Sequence, residues 1–309
     1  MTFILLAVVL LIGLIYISDY FYKKVIKRRL INEDTTFKEY VNKKLIDEEF
    51  YYSLTREDLY ITSKDGLNLK GTFIEAQKTS NKYVVLVHGI SIGPVGSLKY
   101  LDAFYSLDFN ILIIHQRRHG KSEGRHSTYG YHEKQDLFLW VSYLRKIFGN
   151  DIIIGLHGES MGAATVLQYT ELDQNISFII ADCGFSDLSE LLKFQINYSY
   201  PNILRPLLNI LINLINIRAI KRAKFNFRDT SPIKAVENSE IPTLFIHGKN
   251  DSLVPWFMSE KMYQVKTKGI KELYFVEEAA HAEAIKKDKK TYDKKITDFI
   301  NKVLSTREC

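Results

Sequence analysis

Ser160 is flanked by two glycines, Gly158 and Gly162, each two residues away along the chain. The pattern is short enough to arise by chance, so its context decides what it indicates. An apolar, mostly β-branched run at 151–156 comes before it, and small residues with helix-compatible spacing follow it. Ser160 is therefore predicted to lie on a sharp turn from a strand to a helix, where its exposed hydroxyl could act as a nucleophile.

A nucleophilic serine needs a histidine to accept its proton and a carboxylate to orient that histidine. On a strand–turn–helix framework these groups follow later strands, in the order serine, acid, histidine. Asp251 comes shortly after the apolar run 243–246, and His281 comes after the last such run, 272–276. The spacing predicts a catalytic triad of Ser160, Asp251 and His281.

Asp182 is the alternative acid, because it too directly follows an apolar run. A carboxylate at such a position also serves to cap a turn or the following helix, and that is its simpler interpretation. The order of residues alone favours Asp251 and leaves Asp182 open.

Acyl transfer also requires two N–H donors for the oxyanion that forms on the substrate carbonyl. The backbone N–H of Met161, at the start of the predicted helix, would be one of them. The run 83–87 leads into His88-Gly89-Ile90, which would bring the N–H of Ile90 close to Met161. Ile90 and Met161 are the predicted oxyanion donors.

The elements that position these residues form a regular alternation of strands and helices. A hairpin is predicted over 58–74, turning at 64–66. The later strands are predicted at 83–87, 110–114, 151–156, 178–181, 243–246 and 272–276. Strands alternating with helices at this spacing predict an α/β fold with a mostly parallel central sheet that is flanked by helices.

The chain from about residue 56 onward resembles the α/β-hydrolase superfamily, most closely its bacterial esterase and prolyl-oligopeptidase-like branch. The motifs that carry the resemblance are "LVHGIS", "HQRRHGKSEG", "LHGESMGAA", "DCGFSD", "SPI", "HGKNDSLVP" and "AAHAE". The resemblance implies Ser160 as nucleophile, His281 as general base and then acid, Asp251 as its orienting group, and Ile90 and Met161 as oxyanion donors. It implies no cofactor and no metal.

One position departs from the family pattern: His115 stands where related sequences usually carry an aspartate. The departure changes the local charge and leaves the predicted triad intact. The neighbouring Arg117, Arg118 and His119 could form an anion site, but loop packing and surface charge are the simpler interpretation.

The first 22 residues are predicted to form a transmembrane anchor. Residues 3–17 carry no polar side chain except a tyrosine, and with the aromatic residues that follow they reach the length needed to cross a bilayer. The main alternative is a signal peptide, but a positive N-terminal region and a small-x-small cleavage site are both missing. Five basic residues follow the span: Lys23, Lys24, Lys27, Arg28 and Arg29. The positive-inside rule then predicts a single-pass protein with its hydrolase domain in the cytoplasm.

The composition excludes several other classes of protein. The chain has 309 residues and 46% hydrophobic content, enough for a full core. The two cysteines, Cys183 and Cys309, offer no disulfide framework or metal spacing and are expected to be free thiols. The net charge of +6 comes mostly from the five basic residues after the anchor, and no nucleic-acid-binding motif accompanies it. No nucleic-acid partner is expected.

The predicted domains are an anchor at 1–22, a basic stalk and lead-in at 23–55, and a hydrolase domain at 56–309 with a helical cap insertion at about 185–232. Within the cap, residues 203–217 are apolar nearly all round except for three asparagines. This run is judged too short and too interrupted to span a bilayer. It is either a buried core helix or a lid that lines an acyl pocket or touches lipid.

The function that these observations favour is a membrane-anchored serine hydrolase acting on a small-molecule or lipid-like ester. A serine peptidase or amidase of the same fold is the first alternative. A non-catalytic binding module is the second, and the intact Ser160, Asp251 and His281 disfavour it. The natural substrate and the oligomeric state are left open by the sequence.

Overall fold

Eight strands form one twisted sheet within the described part of the chain. The computed structural model describes the backbone of residues 2–306, and the side chains in that range apart from those of 2–4 and 6–11. The strands are β1 (Arg56–Thr62), β2 (Asn68–Ile74), β3 (Lys82–Val87), β4 (Asn110–Ile114), β5 (Ile153–Glu159), β6 (Phe178–Asp182), β7 (Thr243–Gly248) and β8 (Lys271–Val276). Their order in the sheet is β1-β2-β4-β3-β5-β6-β7-β8.

The sheet confirms the predicted α/β class and most of the predicted strand positions. β1 and β2 form the antiparallel hairpin expected over 58–74, and β2 also pairs antiparallel with β4. All neighbours from β4 to β8 pair in parallel. The carboxyl ends of β5, β7 and β8, which carry the predicted site residues, therefore lie at the same edge of the sheet.

Helices cover both faces of the sheet. They are α1 (Thr2–Ile26), α2 (Glu33–Asn42), α3 (Glu48–Ser53), α4 (Leu101–Tyr105), α5 (Glu133–Phe148), α6 (Met161–Tyr169), α7 (Leu188–Ser199), α8 (Arg205–Ala223), α9 (Pro232–Glu237), α10 (Phe257–Val265), α11 (Ala284–Lys287) and α12 (Lys289–Ser305). Val84 and Leu86 of β3 pack against α4 and α12, whereas Val85 and Val87 face α5 and α6. Because successive strand residues point to opposite faces, both faces of β3 are apolar and both are buried.

The segment predicted as a basic stalk contains two helices, α2 and α3, and is packed on the domain. Tyr40, Leu45 and Ile46 are buried in the same core cluster as α4 and α12. Residues 33–46 therefore contribute apolar side chains to the core instead of standing apart from it.

The N-terminal helix is joined to the domain at its C-terminal end. Tyr22 and Ile26 of α1 are fully buried and belong to the same core cluster as the buried residues of α8. Many of the apolar residues predicted to cross the membrane lie outside the described side chains, so the span itself stays a prediction. Cys309 also lies outside the described residues, while Cys183 is a buried free thiol.

α7 and α8 occupy the predicted cap between β6 and β7, and the helical stretch there is longer than the apolar run suggested. Within the described residues, Asn202–Ala223 is long and apolar enough, by length and composition alone, to cross a membrane. The expectation that it is too short was therefore wrong, because the helix continues past residue 217. One stripe of α8 packs on the domain through Leu211, Ile215 and Ala219. Nearer the start of this helical stretch, Ile203, Leu207 and Ile210 are exposed.

Candidate active site

Ser160 lies at the turn between β5 and α6, and its backbone adopts an unusual conformation. Its φ is 55°, in the left-handed region that a residue with a side chain rarely adopts. A Cβ at Gly158 would lie 2.3 Å from the carbonyl oxygen of Gly162, and a Cβ at Gly162 would lie 2.0 Å from that of Val87. Both glycines are needed because the turn packs directly on neighbouring backbone, and this tight turn lifts the Ser160 side chain above the sheet.

The side chains of Ser160, His281 and Asp251 form one hydrogen-bonded chain. His281 Nε2 lies 2.9 Å from Ser160 Oγ, and His281 Nδ1 lies 2.7 Å from Asp251 Oδ2. A carboxylate only accepts hydrogen bonds. Nδ1 of His281 therefore carries the proton and donates a hydrogen bond to Asp251. Nε2 is then free to accept the hydroxyl proton of Ser160, as a general base must.

The Asp251 carboxylate is held in its ionised form by several donors. Its Oδ1 accepts from the backbone N–H groups of Leu253 and Val254 at 2.9 and 2.8 Å, and its Oδ2 accepts from His281. Burial opposes ionisation, but the hydrogen bonds from His247 and His281 outweigh it and lower the pKa of Asp251 to about 2. Asp251 is therefore a carboxylate near neutral pH.

A second histidine, His247, fixes the position of Asp251. Its Nε2 lies 2.8 Å from the carbonyl oxygen of Val254 and 3.2 Å from Asp251 Oδ2. Both are acceptors at this position, so Nε2 carries the proton and His247 Nδ1 accepts from the Ser259 hydroxyl at 2.7 Å. His247 was not among the predicted site residues, although it sits in the "HGKND" motif four residues before Asp251.

The predicted oxyanion donors lie beside Ser160. Met161 is the first residue of α6, so its N–H has no carbonyl one helical turn earlier to bind. Gly89 packs against the nucleophile, since a Cβ built on it would lie 3.4 Å from Ser160 Cβ. Ile90, the next residue, lines the same pocket as Ser160 and Met161. Both residues that carry the predicted N–H donors therefore lie at the serine, and their role in stabilising an oxyanion stays a prediction.

Asp182, the alternative acid, is turned away from His281. Its Oδ2 accepts hydrogen bonds from the hydroxyls of Tyr292 at 2.8 Å and Tyr100 at 3.2 Å. Burial and the nearby Glu159 carboxylate raise the pKa of Asp182 to about 6. Asp182 therefore belongs to a buried polar cluster behind the site, and Asp251 is the carboxylate that contacts His281.

Lys99 is a buried residue of this cluster that no motif in the sequence indicated. Its ammonium pairs with Glu159, the residue before Ser160, and donates to the carbonyl oxygen of Ala282 at 3.1 Å. Ala282 directly follows His281, so one fully buried cation binds both the serine turn and the histidine loop. The Glu159 charge raises the pKa of Lys99 above its usual value despite the cost of burial.

We expect Lys99→Met to lower kcat for the reaction at Ser160 by about 10- to 100-fold. Without the link His281 would shift relative to Ser160, and a shift of about 1 Å between reacting groups lowers a rate by that order. It should also destabilise the fold, since it leaves Glu159 buried and unpaired. The rate of labelling by a fluorophosphonate probe measures the geometry, and thermal denaturation measures stability. The double variant Lys99→Met with Glu159→Gln is the control: it should recover much of the stability but little of the activity, because the link to Ala282 stays broken. Full activity in either variant would show that the link does not position His281.

The "HQRRHG" stretch packs the loops beneath the site. Arg117 forms hydrogen bonds with Asp136 at 2.7 and 2.8 Å and with Asp65 at 3.1 Å. His119 Nε2 accepts from the N–H of Ser91, next to Ile90, at 3.3 Å. His115 Nδ1 accepts from the N–H of Lys121. These contacts match the loop-packing interpretation of the motif, and Arg117 is fully occupied by carboxylates.

The pocket that contains Ser160 is narrow and mostly apolar. Its volume is about 40 Å³. Its lining residues are Arg28, Ile90, Tyr129, Ser160, Met161, Phe185, Leu191, Leu192, Gln195, Leu253 and Val254. α7 of the cap supplies three of them, so the cap forms one wall of the pocket. α8 supplies none of the lining residues, so in this structure it does not line an acyl pocket as one of the two predictions proposed.

Cys183, Asp251 and His281 place three potential metal-ligand atoms within 4.8 Å of one another. Burial raises the pKa of the Cys183 thiol well above its usual value, so the neutral thiol prevails, and a thiol binds metals poorly. The Asp251 and His281 atoms are already hydrogen-bonded to each other. The group fits a hydrogen-bonded acid–histidine pair better than a metal site.

Comparisons of the sequence point to one fold family. A family model described as the alpha/beta hydrolase fold matches residues 82–205, which include Ser160. The protein YqkD of Bacillus subtilis (strain 168) is 34% identical over 262 residues, covering 84% of this chain and 84% of YqkD. The protein bem46 of Schizosaccharomyces pombe is 25% identical over 210 residues, covering 66% of this chain and 63% of bem46.

Comparisons of the structure find the same fold in two kinds of hydrolase. The esterase Pf2001 of Pyrococcus furiosus superimposes with a TM-score of 0.66 at 21% identity, covering 83% of this chain and 95% of the esterase. The acylaminoacyl peptidase of Pyrococcus horikoshii superimposes with a TM-score of 0.58 at 18% identity, covering 82% of this chain and 42% of the peptidase. At these identities the similarity concerns the fold.

Proposed function

Because the chain belongs to the α/β-hydrolase fold family, we propose that it is a serine hydrolase that cleaves a carboxylic ester through an acyl-enzyme, held at a membrane by its N-terminal helix. The observation that carries the proposal is the hydrogen-bonded chain from Asp251 through His281 to Ser160, at the end of an apolar pocket. Each member has the neighbour that its role requires.

The geometry supports a two-step reaction. Ser160 Oγ attacks the ester carbonyl carbon while His281 Nε2 takes the hydroxyl proton, and the N–H groups of Ile90 and Met161 stabilise the oxyanion. The carbonyl re-forms as the alcohol leaves with the proton from His281. Water then attacks the acyl-enzyme, gives its proton to His281, and the carboxylic acid leaves as Ser160 recovers its proton. Asp251 stays ionised throughout and holds Nδ1 of the imidazole.

The apolar lining supports an ester with an apolar acyl group. Phe185, Leu191, Leu253 and Val254 line the pocket, and each methylene of a substrate buried against them contributes about 0.8 kcal/mol. Because the pocket holds only about 40 Å³, we propose that it widens to admit an acyl chain. The polar contacts that would hold a peptide backbone are few, since Gln195 is the one amide side chain among the described lining residues. A peptidase or amidase of the same fold is the alternative function, and the test must distinguish it from an esterase.

The test is a substrate comparison with the purified full-length protein in neutral detergent. A fluorophosphonate probe should label it, and para-nitrophenyl esters should be hydrolysed at rates that rise from acetyl to butyryl or longer chains. Matched anilides of the same acyl groups should react at least 100-fold more slowly. Faster cleavage of anilides would establish the amidase alternative. A folded protein that neither reacts with the probe nor cleaves any of these compounds would be a binding module.

The membrane part of the proposal rests on α1 and α8 together. Arg218 donates to the carbonyl oxygen of Ile15, and Arg222 pairs with Asp19, at 2.9 and 2.5 Å. Residues four apart on α8 thus contact residues four apart on α1 in the same order, so the two helices run parallel. α8 and the turn before it therefore extend alongside the apolar half of α1, and there Ile203 and Leu207 expose 86% and 55% of their surfaces. A lipid surface would cover the apolar sides of both helices.

Two N-terminal deletions are expected to differ. Removal of residues 2–14 takes away most of the predicted span and should move the protein from the membrane fraction toward the soluble fraction with its activity retained. Removal of residues 2–30 also takes away the buried Tyr22 and Ile26, and loss of such side chains costs about 3–5 kcal/mol each. We expect this second variant to be unstable and inactive.

The measurements are membrane fractionation, thermal denaturation and esterase activity. A protease added outside intact cells should leave the domain uncut if it faces the cytoplasm. If the 2–14 deletion binds membranes as strongly as the full chain does, α1 is not the anchor. Full activity of the 2–30 deletion would contradict the packing of Tyr22 and Ile26.

A further inference from the structure

Arg28 belongs to the basic segment after α1 and also lines the pocket of Ser160, although these two parts of the molecule are far apart in the sequence. It lies two residues after the end of α1 and lines the pocket together with Ser160, Ile90 and Met161. The other described lining residues are neutral, because burial raises the pKa of Tyr129 to about 12. Arg28 is therefore the one residue with a charged side chain among the described lining residues.

The backbone around Arg28 is bound to the active-site loops. The Arg118 guanidinium donates to the carbonyl oxygen of Arg28 at 2.7 Å, and the N–H of Ile31 donates to the carbonyl oxygen of Ser91 at 2.7 Å. Ser91 is the residue after the oxyanion donor Ile90. The segment is thus attached to the oxyanion loop, and it holds Arg28 at the pocket by several contacts.

The Arg28 guanidinium has no ion-pair partner among the described residues, in contrast to Arg117 and Arg222. The nearby Glu133 carboxylate accepts instead from Thr128 and Gly130. Other cations lie near the end of α1: burial and the charges of Lys27, Arg118, Arg125 and Arg222 lower the pKa of His126 to about 4. An exposed, unpaired guanidinium with other cations nearby attracts an anion that approaches the pocket.

We infer that the ester cleaved here carries an anionic group, a carboxylate or a phosphate, close to the scissile carbonyl, and that Arg28 pairs with it as the specificity-determining residue. The inference rests on the proposed serine hydrolase function. A planar guanidinium binds both groups by two parallel hydrogen bonds. Because Arg28 lies two residues after the end of α1, the helix predicted to enter the membrane, the anion would lie at the depth of lipid headgroups while an apolar chain reaches Ser160. An anionic amphiphile matches that arrangement.

The anionic group could belong to the acyl part or to the alcohol part of the ester, and two matched substrate pairs distinguish these sources. The first pair is para-nitrophenyl hydrogen glutarate against para-nitrophenyl butyrate, which places a carboxylate on the acyl chain. The second pair is monobutyrylglycerol phosphate against monobutyrylglycerol, which places a phosphate on the alcohol. For each pair the ratio of kcat/KM for the anionic ester to kcat/KM for the neutral one is measured with the full-length protein in neutral detergent.

In the wild type we expect this ratio to exceed one for at least one pair, and to fall about tenfold in Arg28→Gln. Arg28→Lys should recover part of the ratio, since it keeps the charge and loses the two-bond geometry. Arg29→Gln removes a neighbouring charge that does not line the pocket, and it should leave the ratio within about twofold. The wild-type preference should also weaken with added salt, because Arg28 is exposed.

Equal ratios in the wild type and Arg28→Gln for both substrate pairs would overturn the inference. It would also be overturned if Arg29→Gln lowered the ratio as much as Arg28→Gln does, because the preference would then come from the overall charge of the basic segment. Failure of the proposed function gives a different result, because no ester of either pair would then be cleaved and the fluorophosphonate probe would not label the wild type.

Discussion

Replacement of Ser160 by alanine is expected to lower kcat for ester hydrolysis by about 10⁴- to 10⁶-fold and to abolish labelling by a fluorophosphonate probe. Without the hydroxyl no acyl-enzyme forms, and the catalysis that remains comes from the oxyanion donors and from substrate binding. The change removes one oxygen atom from a side chain that is nearly buried, so the fold should be retained. Progress curves with a nitrophenyl ester and gel detection of the probe measure the two effects.

A matched control is Ser142→Ala on α5, where the hydroxyl bonds only to the carbonyl oxygen of Phe138 in the same helix. This variant should keep wild-type activity and labelling. Undiminished labelling of Ser160→Ala would show that another residue is the nucleophile, and the assignment of Ser160 would then fail together with the proposed mechanism.

Asp251→Asn is expected to lower kcat by about 10⁴-fold while the protein remains folded. The new amide nitrogen would donate to His281 Nδ1, so the imidazole would carry its proton on Nε2, facing Ser160. That tautomer cannot accept the serine proton. The amide oxygen can still accept from the N–H groups of Leu253 and Val254, which keeps the loop in place.

Asp182→Asn is the matched control, because it makes the same chemical change at the alternative acid. We expect less than about a fivefold change in kcat, since Asp182 contacts the hydroxyls of Tyr100 and Tyr292 and makes no hydrogen bond to His281. If Asp182→Asn proves the damaging change and Asp251→Asn the mild one, the assignment of the acid is wrong.

The Asp182→Asn variant should also differ from the wild type in how its stability depends on pH. The pKa of Asp182 is raised in the folded protein to about 6, above the ordinary value of 3.8. A raised carboxyl pKa means that folding favours the protonated form, so stability is present in full below the ordinary value and falls as the pH rises through about 6. The asparagine does not ionise and avoids this loss. The melting temperature of Asp182→Asn relative to the wild type should therefore increase between pH 4 and pH 8.

The sequence was enough to predict the elements that carry the site. The apolar runs that became β3 to β8 are short and end at polar or glycine residues, and such runs form strands largely irrespective of what lies further along the chain. The order of Ser160, Asp251 and His281 after those strands then placed all three at one edge of a parallel sheet. The structure brings them within hydrogen-bond distance, because parallel strands put their carboxyl ends side by side.

The lengths and packing of the outer helices were less predictable. The end of α8 was placed too early, since residues 218–223 look like a polar break although Ala219 and Ala223 are buried. Likewise, the charged segment 33–46 gave little sign that Tyr40 and Ile46 lie in the core. Periodicity reports which residues could share one face of a helix, but it does not report what that face contacts.

The amino-acid sequence by itself determined the strands and helices of the α/β fold and the serine turn with its two glycines, because these depend on neighbours within a few residues of the chain. The order of the proposed triad is read directly from the chain. Only the tertiary structure decided which carboxylate contacts His281, that Lys99 joins Glu159 to the histidine loop, and that Arg28 reaches the pocket of Ser160. These contacts join residues that are 30 to 183 positions apart, or that meet only through a shared pocket. Their side chains lie together because the sheet and its helices pack in three dimensions, and no local pattern in the chain encodes that packing.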